Sequence, residues 1–184
     1  MRQTVRCMPR RLCTTISVLA AFFFLLPAAG AATAMLDCTA DSPLTGPPDA
    51  GPQLPLNPGM LLNVQWQSVT GWRVSKATLL LHLAKGSVPA QLEVALVPNP
   101  WLDSKPPSIP EKRWKFLSQK TEPHPDGWVS LEIPPPLVEL AAAGKGHGFA
   151  VRDRAPAKNR WLHTRKSGQY AAHLLVEGLP APER

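Results

Sequence analysis

Residues 76–83, Lys76-Ala77-Thr78-Leu79-Leu80-Leu81-His82-Leu83, decide the fold class. Ala77, Leu79, Leu81 and Leu83 alternate with Lys76, Thr78, Leu80 and His82, which is the two-residue period of a strand. The same period recurs on both sides. Met60, Leu62, Val64 and Trp66 share one face of an earlier run, and Leu92, Val94 and Leu96 share one of a later run. Val129, Leu131 and Ile133, and then Tyr170, Ala172, Leu174 and Val176, repeat the pattern. Shorter strands are expected at Gly148–Arg152 and Trp161–Thr164. Between the runs stand Gly71, Gly86, Pro98-Asn99-Pro100, Asp126-Gly127 and Gly144 to Gly148, all turn formers. One short helix is expected at Leu137–Ala143, after Pro134 to Pro136 and ending at Gly144. Many short strands with almost no helix predict an all-β chain, a two-sheet jelly-roll-like antiparallel sandwich.

The proline content, 22 of 184 residues, fits that class and argues against a helical bundle, because proline breaks helix interiors. The segment Pro98–Asp126 reads as a long loop with a short strand at Trp114–Leu117, and long loops on β-domains often carry binding function. Residues 35–59 are read as a proline-rich arm or linker, residues 60–178 as the β-sandwich domain, and residues 179–184 as a tail.

The net charge of +7 is unevenly placed. Arg2, Arg6, Arg10 and Arg11 precede the uncharged apolar run Ile16–Ala29, and small residues follow to Ala32-Thr33-Ala34. That order predicts a secretory signal peptide over residues 1–34, cleaved after Ala34, and hence a secreted protein, periplasmic or extracellular. The apolar run is shorter than the roughly 20 residues that span a bilayer, so no membrane span is expected after cleavage. Removing four of the 20 basic residues leaves 16 against 13 acidic ones, a net of +3. With that balance and no nucleic-acid motif, nucleic acid is not expected as a partner. Cys38 is then the one cysteine left, so the exported domain must rest on a buried core and not on an internal disulfide.

Leu61–Trp66, a spacer and Val74–Leu83 resemble the opening of the DNRLRE domain group. Gly127–Ile133, the short helix and Gly146–Arg152 resemble its central signature, and His163-Thr164-Arg165 followed by Gln169–Glu177 its closing strands. The resemblance covers about residues 60 to 177. It implies a secreted bacterial jelly-roll-like β-sandwich, similar in fold to growth-factor propeptides. It also implies kinship with alginate-type carbohydrate-binding modules.

No GxSxG, HExxH or phosphate loop occurs. The five histidines show no HxH or HxxxH spacing. No enzyme, metal site or cofactor is therefore expected. Function is read as binding, with an extracellular polysaccharide, acidic or neutral, as first choice of partner. Trp72, Trp101, Trp114 and Trp128 are the candidate stacking residues, since indole faces pack on sugar C–H faces. Arg113, Arg152 and Arg165 are the candidate partners of uronate carboxylates. For each tryptophan the alternative is core or loop packing, and for each arginine a solvated surface. The competing function is a structural or assembly module that binds an envelope or matrix protein, with Cys38 able to cross-link two chains.

Overall fold

A computed structural model describes residues 30–44, 51–101, 114–153 and 159–182 of the chain. Ten strands follow one another as β1 (Ala32–Pro43), β2 (Gln53–Pro55), β3 (Met60–Val64), β4 (Arg73–Lys85), β5 (Gln91–Leu96), β6 (Leu117–Pro123), β7 (Trp128–Glu132), β8 (Phe149–Arg152), β9 (Trp161–His163) and β10 (His173–Leu179). Their order is β10-β1-β3-β8-β5-β6-β7-β4-β9-β2, and β10 also pairs with β4. Eight strands thus form a closed antiparallel barrel, with β9 and β2 added outside it.

This corrects the expected two-sheet sandwich. The alternating runs are strands as expected, but the two walls they form are joined along both sides. On one side β1 pairs with β10 through Asp37 and with β3 from Cys38 onward, with a register shift between Cys38 and Ala40. On the other side β6 pairs with β5 over Leu117–Lys120 and with β7 over Thr121–Pro123. Each strand crosses from one wall to the other, so no open sheet edge remains there.

Inside the barrel lie the apolar faces that alternation marks: Met60, Leu62 and Val64, then Ala77, Leu79 and Leu81, with Leu92, Val94, Leu131, Phe149, Val151, Leu174 and Val176. Full burial of each larger aliphatic or aromatic side chain contributes about 1.5–3 kcal/mol. The short helix α1 (Pro135–Leu140) runs into a wider turn at Ala141–Lys145, where Gly144 has φ 73°. Glu139 accepts the Val74 N–H at 2.9 Å, and Val138 and Ala142 join the barrel core.

The segment read as an arm takes part in the fold. β1 buries Leu36, and the residues around β2 bury Leu54 and Leu56. Two of its prolines stand where a missing N–H is tolerated: Pro43 ends β1, and Pro55 ends the three-residue outer strand β2. β1 begins at Ala32, so the expected cleavage after Ala34 falls within this strand, where Ala32, Thr33 and Ala34 pair with Gly178, Glu177 and Val176. Among the described residues no helix is long and apolar enough to cross a membrane.

Candidate functional site

Outward-facing residues of one barrel wall line a groove of about 710 Å³. Strand alternation that sends Ala77, Leu79 and Leu81 inward sends Lys76, Thr78 and Leu80 outward. Across the ladder, Thr78 pairs with Glu132 and Leu80 with Ser130, while Glu177 pairs with Lys76. Leu175, Ser118, Lys120, Glu122 and His124 complete the lining with their neighbours. Half-buried Leu80 and Leu175 give it apolar ground, and the charged groups stand around them.

The groove's electrostatics are mixed. Glu122, Glu132 and Glu177 oppose Lys76 and Lys120. Lys76 Nζ and Glu177 Oε1 are 3.9 Å apart and well exposed, a pairing that water screens. His124 Nε2 and Ser130 Oγ lie 2.7 Å apart. Among the described residues no carboxylate bonds the other imidazole nitrogen of His124, so nothing there orients it as a catalytic base. The groove's chemistry is that of hydrogen-bond donors and acceptors in both signs of charge over an apolar base.

Trp128 stands in the same outward row of β7 as Ser130 and Glu132. Its ring meets His82 edge-on at 5.1 Å and lies 6.0 Å from His173, whose Nδ1 is 3.0 Å from Asp37 Oδ1. Among the described residues, Trp128 is the one sequence-predicted residue beside the groove. Trp72 packs half-buried against the barrel core. Trp101 and Trp114 serve a second apolar cluster on the opposite wall, over Leu61, Ala95 and Ala150. There Trp101 Nε1 donates to His147 O at 2.6 Å. Trp66, expected on the inward face of β3, begins a 3-10 turn, meets Phe149 edge-on and donates to Asn63 Oδ1 at 2.9 Å. None of the six tryptophans is fully exposed, so they form no open stacking platform.

The arginines are equally dispersed. Arg152 Nε donates to Glu93 Oε2 at 2.7 Å and its guanidinium lies 3.7 Å from the Phe116 ring centre, on the wall away from the groove. Arg165 opens a short turn at Arg165–Tyr170, and its backbone N–H donates to the Asp41 carboxylate. Arg113 lies outside the described residues.

Sequence reasoning missed a histidine cluster. His82, His163 and Tyr170 pack ring on ring next to Trp128. Burial first, and then the nearby His82, lowers the His163 pKa below its ordinary 6.5. Among the described residues no three His, Cys, Asp or Glu side chains converge as a metal site. Set against protein-family models the chain finds no match, and set against curated proteins it finds none.

Proposed function

We propose that this protein is a secreted, non-catalytic binding module that holds an extracellular polysaccharide in the groove of the β10-β4-β7-β6 wall. The single observation that carries the reading is the groove itself: about 710 Å³, walled by hydroxyl, carboxylate and ammonium groups over Leu80 and Leu175. A sugar chain offers the complement, with hydroxyls for the polar groups and C–H faces for the apolar base. The likeness of residues 60–177 to the DNRLRE group, with its carbohydrate-binding relatives, supports the same reading, and the basic-apolar opening of residues 1–34 supports export.

Of the two glycan classes open from the sequence, the groove favours the neutral one over the acidic one. Three carboxylates face it against two ammonium groups. Arg152 is already engaged with Glu93 and Phe116 on another wall. A uronate chain would meet repulsion from Glu122 and Glu132 without an arginine fork to offset it.

Affinity electrophoresis through gels containing neutral glucans, alginate or pectin tests this. Retardation in a neutral glucan gel, relieved by Glu132→Ala and Trp128→Ala, is the expected result. Unchanged mobility in every gel overturns the proposal.

A further inference from the structure

Beyond the end of the groove, the ring cluster around His82 is built on two imidazoles whose tautomers can be assigned. The His82 ring centre lies 4.2 Å from that of Tyr170 and 5.0 Å from that of His163, and the latter two are 5.0 Å apart. His82 Nε2 faces the Asp126 carbonyl at 2.6 Å, so it carries the proton and donates. Its Nδ1 is then a lone pair, buried and without a partner. Ser167 Oγ gives its single proton to Pro52 O at 2.6 Å, so His163 Nδ1 donates to Ser167 Oγ at 2.9 Å. His163 Nε2 is left as the second lone pair. In this arrangement each ring uses one nitrogen as a donor, His82 through Nε2 and His163 through Nδ1.

The segment that brings Tyr170 to them is unevenly held. Its root is fixed: Thr164 N donates to Pro52 O at 3.0 Å, Thr164 Oγ1 to Gly51 O at 3.3 Å, and Arg165 N to the Asp41 carboxylate. Past Ser167 the backbone turns at Gly168, with φ 60° and ψ −111° and no atom within 4 Å of where a Cβ would stand. Ala171 N bonds back to Gly168 O at 2.9 Å, a contact internal to the tip. The chain is secured again at Ala172, whose carbonyl accepts the Cys38 N–H at 3.2 Å. Between these anchors Tyr170 rests on the two imidazole rings.

We propose that Gly168–Ala171 is an acid-released latch: Tyr170 closes over the His82 and His163 rings, and swings off about Gly168 when His163 takes up a proton. A proton on His163 would place a charge beside the His82 ring, in a site partly withdrawn from water. The Tyr170 ring attracts a cation but does not supply the hydrogen bond that water gives a charged N–H, so opening to solvent is favoured.

The other groups around the pair do not reverse this. Asp126 reaches His82 through its carbonyl, and Arg165 and Lys166 on the latch root are themselves cations. From β2, Gln53 pairs with His163 across the ladder and is uncharged. His173, on β10 opposite Leu80, meets the Trp128 ring and bonds Asp37, while the Asp41 carboxylate takes the Arg165 N–H. Among the described residues no carboxylate bonds either imidazole. The latch is independent of what the groove holds.

Tyr170 is the chain's single tyrosine, so 3-fluorotyrosine labelling yields one ¹⁹F resonance. Titrated from pH 7.5 to 5, it should move to the position of a solvent-exposed ring with a midpoint below 6.5, while the far-ultraviolet β signal stays constant. His163→Phe retains a ring and removes a proton site, so its resonance should stay at the closed position to pH 5. Where the phenyl ring prevents folding, His163→Gln answers the same question. His173→Gln should leave the transition in place. A wild-type resonance unchanged at pH 5 overturns the latch. So does an equal transition in the His163 variants, or a shift that coincides with loss of the β signal.

Discussion

Gly148→Ala is expected to be among the most damaging single changes in this protein, for two separable reasons. Gly148 has φ +103°, a conformation L-residues rarely adopt; forcing a side chain there costs about 1–2 kcal/mol. The second cost is steric. A Cβ at Gly148 would overlap the Leu62 carbonyl oxygen and come within 3.0 Å of Asn63 Cα and Leu62 C. These are backbone atoms of β3, which pairs with β8 at Leu62–Phe149, Leu61–Ala150 and Met60–Val151. Relief therefore requires the two strands to part at the start of a three-residue ladder, at about 1 kcal/mol for each hydrogen bond weakened. The sum is about 3–5 kcal/mol, a large part of the 5–15 kcal/mol that holds an average domain together. In urea denaturation, with a slope of about 2 kcal/mol/M, the midpoint should fall by about 2 M. Gly144→Ala provides the comparison, since Gly144 has φ +73° but no atom within 4 Å of a built Cβ. It should lose only the backbone part, about 1 kcal/mol. If the two variants unfold at the same urea concentration, the close approach of β8 to β3 is not what limits residue 148.

Other expectations follow from the side-chain geometry. Asp153→Asn leaves the Arg160 guanidinium without its buried carboxylate and should cost about 3 kcal/mol in the same urea assay. Trp101→Phe removes the donor to His147 O while keeping most of the apolar contact, so a loss of about 1 kcal/mol is expected without any change in glycan retardation. Because the folded-state pKa of His163 is lowered, the unfolded chain binds more protons just below pH 6.5. The stability that neutral His163 contributes is therefore complete above that pH and declines as the pH falls beneath it. Thermal melts from pH 7.5 to 5 should show that decline, and His163→Phe should flatten it.

Those expectations rest on features that were unequally visible in the sequence. The inward rows of β3, β4, β5, β7 and β10 could be read directly, because a period of two survives along each, even where the second cluster also covers Leu61 and Ala95. The strands that close the barrel could not. β6, Leu-Ser-Gln-Lys-Thr-Glu-Pro, contains one aliphatic side chain and no fully buried residue; its ladders, more than its side chains, hold it. β1 has a single buried apolar residue, Leu36, before its crossing point, and its last three residues are buried together. With neither strand signalled, the two walls read as separate sheets, and a sandwich was the natural reading. The histidine cluster was hidden for another reason. His82, Trp128, His163 and Tyr170 come from β4, β7, β9 and the turn before β10, and only strand pairing brings them together. The groove shares that property, since its charges lie on four strands. Trp72, Trp101, Trp114, Trp128 and Arg152 stand apart because alternate residues and separate loops face different walls.

The outermost strand has a consequence for how copies of this protein meet. Closure of the ring leaves β2 as the terminal strand of the order, three residues long, with Pro52 before it and Pro55 as its last residue. Proline presents no N–H to an incoming strand, and three residues offer little length to pair. The place where a neighbouring chain could extend the sheet is therefore short and chemically blunted. Crowding many copies together should drive them to touch through side chains and not to fuse through their backbones.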